Sequence, residues 1–336
     1  MRRVRFDPRV RAHGQCCGTP VPPCRVAGLA VAAAACAPAG TPSVRGPAPG
    51  ALPSHVRVKL SPGGPVRALA LDEYARGVLV AEAGVSTRDG LAGERMLEVQ
   101  AIIARTYAVA HLSRHAREGF DLCSATHCQV YDPRRLETSG HAGAVRNAVG
   151  RTTGMVLWHR RRPASTVFHA DCGGHTSAAR DVWGGQAHPY LTARRDDGPA
   201  EAAHRAWRFD VGHEAMRLAL NRDVRTRVGR RFLDIAIVSR DQAGRAIRVR
   251  LDGSTAAEAS GEQLRAVVNG AFGHGALLST LFDVRRSGDG FRFEGRGYGH
   301  GVGLCQVGAL ARLRGGASVA VVLARYYPGT RLGVTP

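Results

Sequence analysis

"VRALALDEYARGVLVAEAG", residues 66–84, changes its hydrophobic period partway along. The first residues read as a strand. From Asp72, a candidate N-cap, Tyr74, Val78 and Ala81 fall on one face of a helix that Gly84 ends. An alternating stretch, "HVRVKL" (residues 55–60), precedes it and predicts a second strand. A longer helix is expected over about 92–117, with Met96, Val99, Ile103, Tyr107 and Ala110 on one stripe. Strands and helices in this order predict an α+β fold.

Further along, "DLCSATHCQVYDP" reads as a loop entering a short strand and "AGAVRNAVGRTTG" as a short helix. "MVLWHRRRPASTVFHADCGG" reads as a hairpin turning at Arg and Pro. Composition shifts after Asp197. Residues 204–285 hold two helical patterns and a hairpin but no cysteine, so they are predicted to form an inserted α/β module. The chain is expected to return to its first domain at "GFRFEGRGYGH" (residues 290–300).

Residues 1–36 carry a basic start and a short apolar run, "VAGLAVAAAAC", that ends at Cys36. Such a run suits a signal-peptide core and is too short for a membrane span. A cysteine directly after it is the bacterial lipoprotein pattern, with Cys36 as the lipidated residue; an ordinary cleaved signal is the other reading. Either predicts export to the cell envelope, with membrane contact only through that lipid. Residues 37–54, with five prolines and no apolar face, read as a linker, so the folded part should begin near His55.

The 336-residue chain carries a formal charge of +20, from 47 basic and 27 acidic residues. All but Lys59 of the basic residues are Arg, spread along the chain without a basic block interleaved with aromatics. That pattern argues against nucleic acid as a partner and suits an anionic polymer such as cell wall.

"GRGYGHGVGLCQVGA", residues 295–309, has the outer glycine spacing of a phosphate loop at Gly303 and Gly308. Ala309 and Leu310 stand where Lys and Ser/Thr are needed, so a phosphate cradle is excluded. Glycine's other use is close approach of backbone to a bulky ligand.

Glu82 follows an apolar helical stretch. Either it turns outward at a helix end, or it is an acid whose pKa is raised in an apolar wall, as glycoside cleavage needs. Cys123, His127 and Cys128 form "CSATHC", and His111 and His115 lie four apart on the preceding helix. This is a plausible zinc set. In an exported protein a disulfide among Cys123, Cys128, Cys172 and Cys305 is the competing reading. Cys172, flanked by His169 and His175, could also serve a thiol hydrolase with His300 as base, though no nucleophile signature surrounds it.

Together, "LDEYARGVLVAEAG", "EVQAIIARTYAV", "HCQVYDP", "FHADCGGHTSAARDVWGG", "GRGYGHGVGLCQVGA" and "YYPGT" fall in the order seen in the SpoIID/LytB family. The resemblance spans about residues 55–335 and implies a two-lobed domain with a substrate cleft. It implies a peptidoglycan lytic transglycosylase that cuts between N-acetylmuramic acid and N-acetylglucosamine, leaves 1,6-anhydro ends and prefers peptide-stripped glycan. The alternative it implies is a non-catalytic wall-binding protein that enhances a cell-wall amidase. Glu82 matches the family's acid, with Arg105 expected to pair with or orient it. Gln100, Tyr107, Gln129, Tyr131, His169, Gly173, Gly174, Thr176, Tyr298, His300 and Gln306 match stretches expected to contact glycan, whose rings would lie against the glycine run. Catalysis would need no cofactor, and a structural zinc would sit on Cys123, Cys128, His115 and His127. Cys305 stands where the family commonly has Ser, which puts any catalytic role of that Ser in doubt.

Overall fold

The computed structural model describes residues 52–83, 89–185, 187–196 and 205–334. The signal segment (1–36) and most of the linker lie outside these. Strand β1 (His55–Lys59) pairs antiparallel with β2 (Val66–Ala70), from His55↔Ala70 to Lys59↔Val66. Alternation turns Val56 and Val58 inward. Helix α1 (Leu71–Glu82) follows β2 directly, with Ala70 at its N-cap. Asp72, expected as the cap, instead lies in the first turn and ion-pairs with Arg105. Gly77 leaves room for Tyr131, since a Cβ there would sit 2.2 Å from the ring. Helix α2 (Gly90–Ala110) packs beside α1, and the short β3 (Leu122–Cys123) joins β1 in parallel. A turn, α3 (Arg135–Thr138), and α4 (Ala142–Arg151) complete this lobe.

The α2 helix stops at Ala110 and does not continue to 117. Backbone hydrogen bonds bend back at His111, whose Nδ1 also reaches Tyr107 O at 2.9 Å. Ser113 takes a left-handed φ of 64°, and its N–H is captured by Asp121 Oδ1 at 3.1 Å. No glycine or proline marks this break, so helical periodicity alone ran past it.

The second lobe begins with the hairpin β4 (Val156–His159) and β5 (Arg162–Pro163), followed by β6 (Phe168–His169), β7 (His175–Thr176), α5 (Ala179–Trp183) and β8 (Arg194–Arg195). The chain then enters the module: β9 (Ala206–Gly212), α6 (His213–Leu220), β10 (Phe232–Arg240), β11 (Ala246–Gly253), β12 (Ala257–Ser260), α7 (Gly261–Phe272), β13 (Phe282–Ser287) and β14 (Gly290–Arg296). It returns as β15 (Leu304–Cys305), parallel to β6, then α8 (Gln306–Arg314), α9 (Val319–Tyr326) and β16 (Arg331–Gly333), which pairs with β4.

Three cores result. Helix α2 serves two of them: Leu97, Ala101 and Ala104 face the first, with Tyr74, Leu79 and Leu122, while Met96, Val99 and Ile103 face the second, with Leu304, Leu323 and Tyr327. A helix apolar on nearly all sides is one buried between layers. The third core, around Phe232, Val249, Leu264, Phe291 and Phe293, lies wholly in the module. Its limits differ from the expected 204–285. Strand β14 lies between β13 and β9, so residues 290–296, read as the return into the first domain, form the middle of a module sheet. Phe291 and Phe293 alternate with Arg292 and Glu294, which is the pattern of a sheet face turned to a core. The architecture is α+β. Among the described residues no helix is long and apolar enough to cross a membrane.

Candidate active site

Glu82 ends α1 in the wall of a cleft of about 810 Å³. Burial pushes its carboxyl up to about 7, opposed by one hydrogen bond, from Val130 N–H to Oε1 at 2.6 Å. Desolvation of the charged form outweighs that single donor. Of the two sequence readings of Glu82, the structure holds the carboxyl inward. The backbone of the same residue is anchored too: Gln306 Nε2 donates to Glu82 O at 3.0 Å. Gln306, expected on glycan, thus fastens the first helix to the start of α8.

The glycine run works through alternation. Tyr298 and His300 line the cleft, while Gly297, Gly299 and Gly301 beside them press against protein atoms. A Cβ on Gly301, at φ +81°, would lie 2.2 Å from Arg245 Nε. Arg245 comes from the module, is fully buried, and donates to Gly299 O (3.2 Å) and Cys172 O (2.8 Å). The expectation that sugar rings fill the space beside these glycines is corrected at this position. An arginine of the chain itself fills it. His300 accepts from Val302 N–H through Nδ1 at 3.1 Å, and burial, then Arg245 and Arg265, hold its pKa below the usual value. It is a neutral imidazole. Trp183, half exposed, lies 4.9 Å from the His300 ring and offers an aromatic face to a sugar.

Of the residues expected to touch glycan, Tyr107, Tyr298 and His300 line the cleft with Glu82. The others serve the layers behind it. Arg105 does not meet Glu82. It is fully buried and pairs with Asp72 Oδ1 at 2.7 Å, with Met155 O and Val149 O as further acceptors. Arg105 lies two positions from Ile103 and from Tyr107, off the apolar stripe, and helical spacing does not show that Asp72, not Glu82, is in reach. Gln129 accepts from Tyr74 Oη at 3.0 Å, and Tyr131 stacks on Tyr74. Gln100 is buried within α2. Thr176 bonds to the carbonyls of Thr192 and Arg194, and His169 Nδ1 to Val302 O. Gly173 and Gly174 form a left-handed turn, where Gly173 O accepts from Arg296 Nε.

Sequence reasoning missed Arg114, Trp183, His188, Glu262 and Arg265 in the cleft wall. Glu262 and Arg265 belong to α7 of the module, so that module supplies one wall. No motif in residues 204–285 signals this, because tertiary packing alone carries α7 to the cleft.

Beside the cleft, His115, Cys123, His127 and Cys128 converge, with their donor atoms all within 4.8 Å. Cys128 Sγ lies 3.5 Å from His115 Nε2 and 3.6 Å from His127 Nδ1, and Cys123 Sγ lies 3.9 Å from His127 Nδ1. Tetrahedral zinc with bonds of roughly 2.0–2.3 Å needs donors about this far apart. His115 also meets Glu118 through its other nitrogen at 2.5 Å, the outer carboxylate that commonly orients a metal-binding imidazole. The residues present fit a structural zinc. His111, once grouped with His115 on one helix face, is separated from it by the helix break at Ala110.

Residues 63–159 match the model of the family described as stage II sporulation protein, SpoIID, and residues 200–303 match a family described only as a domain of unknown function. Residues 63–159 are thus similar to the SpoIID family that the ordered motifs resemble. Stage II sporulation protein D of Bacillus subtilis is 25% identical over 292 residues, covering 80% of this chain and 75% of that one. An uncharacterized protein of Brachyspira hyodysenteriae is 27% identical, over 79% of this chain and 67% of its own. The amidase enhancer of Bacillus subtilis is 23% identical, over 70% of this chain and 37% of its own length.

Proposed function

We propose that this chain is an extracytoplasmic lytic transglycosylase that cuts peptidoglycan between N-acetylmuramic acid and N-acetylglucosamine, with Glu82 as its acid and then its base. The observation that carries this reading is the Glu82 carboxyl held in the cleft wall with its pKa raised to about 7. The other carboxylate among the described cleft residues, Glu262, is paired with Arg265 at 3.2 Å. A lone available carboxyl suits a reaction that needs no activated water. Glu82 protonates the glycosidic oxygen as the bond to C1 breaks, giving an oxocarbenium-like centre. The sugar's own 6-hydroxyl attacks C1 and returns its proton to Glu82, and intramolecular attack gains from proximity. Tyr298, His300 and Trp183 would hold the rings.

Cell-wall work of this kind agrees with the names of the relatives, stage II sporulation protein D and amidase enhancer. A wall amidase is the partner that the amidase-enhancer name suggests, and the lipoprotein-like pattern at Cys36 is the ground for a proposed lipid anchor there. Analysis of products from peptide-free glycan tests the assignment. Anhydro ends support it, binding without products points to the enhancer role, and cleaved peptides point to a zinc or thiol hydrolase.

Two further outcomes follow. Because the proton donor must be protonated, kcat/KM is expected to fall as pH rises through about 7, and a rate profile flat from pH 6 to 8 would contradict it. The Cys/His set is proposed to hold one structural zinc that ties β3 to the turn after α2. Metal analysis of the purified protein should find it, and Cys128→Ser should lose it together with a part of the thermal stability. Less than stoichiometric metal would count against the site.

A further inference from the structure

Two thiols take no part in that chemistry. Cys172, in the turn after β6, and Cys305, at the start of α8, are 133 positions apart and both fully buried. Their sulfurs and a His169 ring nitrogen lie within 4.8 Å of one another. The Cys172 thiol donates to Asp196 Oδ2 at 3.5 Å, and Cys172 N–H donates to Cys305 Sγ at 3.2 Å. Gly308 N–H reaches Cys305 Sγ at 3.4 Å, and Gly174 N–H reaches Cys172 Sγ at 3.3 Å. Backbone N–H groups therefore hold the two sulfurs in place, within 4.8 Å of each other.

A second metal is the competing occupant, and the surroundings disfavour it. The His169 Nδ1 is engaged by Val302 O at 3.1 Å. The carboxylate next to Cys172 Sγ, Asp196, already receives Tyr326 Oη at 2.8 Å and Arg312 at 2.6 Å. That leaves three donors at most, whereas structural zinc takes four. The Cys123 and Cys128 set, with two imidazoles in reach, is built differently.

We propose that Cys172 and Cys305 join as a disulfide that staples the "DCGG" turn to the first turn of α8. In forming it, each thiol gives up one proton and one electron. The two sulfurs bond, and a small-molecule or protein disulfide is reduced to two thiols by exchange. Because the folded protein encloses both sulfurs, exchange takes place as the chain folds, and the finished bond resists reductants. The staple lies next to Gln306, which holds the Glu82 carbonyl, so it stiffens the acid's end of α1. This inference rests on the extracytoplasmic reading and not on glycan cleavage.

Peptide mapping of the full chain, exported through an oxidising compartment and alkylated under denaturing conditions before reduction, tests it without any activity assay. The expected result is one linked pair of peptides containing Cys172 and Cys305, lighter by two hydrogens than the separate thiol peptides, with Cys123 and Cys128 alkylated once metal is chelated. Cys305→Ser should abolish the link and lower the melting temperature by roughly 5–10 °C, while unfolding and refolding in reductant, which reaches the bond only in the opened chain, lowers the parent but not the variant. Serine keeps the helix cap, so the variant should fold. If it does not, mapping of the parent decides. Alkylation of both Cys172 and Cys305 in the exported parent, or bound metal that disappears with Cys172→Ser, overturns the proposal.

Discussion

Glu82→Gln is expected to lower release of anhydro-ended fragments by about 10²–10⁴-fold while leaving glycan binding intact. The amide oxygen can still accept the Val130 N–H that now reaches Oε1 at 2.6 Å, so the cleft keeps its shape. What the variant loses is proton transfer, whose contribution is typically of that size. It should also change how stability depends on pH. The folded carboxyl titrates near 7, above its unfolded value, so the parent is fully stabilised below about 4.5 and loses stability as pH rises towards 7. The amide does not titrate, so the variant should lack that slope. Product release at near the parental rate would place the acid elsewhere and remove the mechanism.

Arg245→Met is expected to destabilise the whole fold by about 2–4 kcal/mol, from the loss of charge-assisted hydrogen bonds at buried carbonyls. The Arg245 guanidinium donates to Gly299 O and Cys172 O, one on the glycine run and one on the "DCGG" turn, while its backbone N–H donates to Asp241 Oδ1 at 2.8 Å. Removing it leaves both carbonyls short of a donor in a buried place and a gap beside Gly301. Two readouts separate this from a general packing loss. Chemical unfolding should show the lowered stability. Titration of His300 by NMR should show its pKa rising, because Arg245 is one of the charges that hold it down. A stability change under about 0.5 kcal/mol, with His300 unmoved, would show that Arg245 is not what couples the module to the cleft.

The amidase-enhancer reading meets the first of these experiments. A binding protein without catalysis would keep wall affinity in Glu82→Gln and show no product in the parent either. The position of Glu82 therefore matters more than its presence.

Much was legible along the chain because it depends on neighbours a few residues away. The strand–helix junction within residues 66–82, the apolar stripe of α2 and the Arg turn at residues 160–161 are local patterns and appear in the elements, but the hairpin read over residues 155–174 stops at Pro163, and Phe168–His169 pair with β15 instead. Glu82 stood out because apolar residues precede it within one helix turn. The CSATHC spacing already placed Cys123, His127 and Cys128 together; only His115 had to be carried in, by the turn after α2.

The partners of buried charges were decided by tertiary structure. Arg105 was matched to Glu82 by motif order, yet the fold sets it against Asp72, because ion pairing depends on distance in space and not on spacing along a helix. The glycines of residues 297–303 signalled close approach, but the sequence could not say by what. The answer at Gly301 is Arg245, brought from a module whose own pattern looked unrelated to the site. Periodicity reports which face of an element is apolar. It carries no information on which element arrives against that face, and the cleft wall from α7, the Gln306 anchor and the meeting of Cys172 with Cys305 all arise from that second choice.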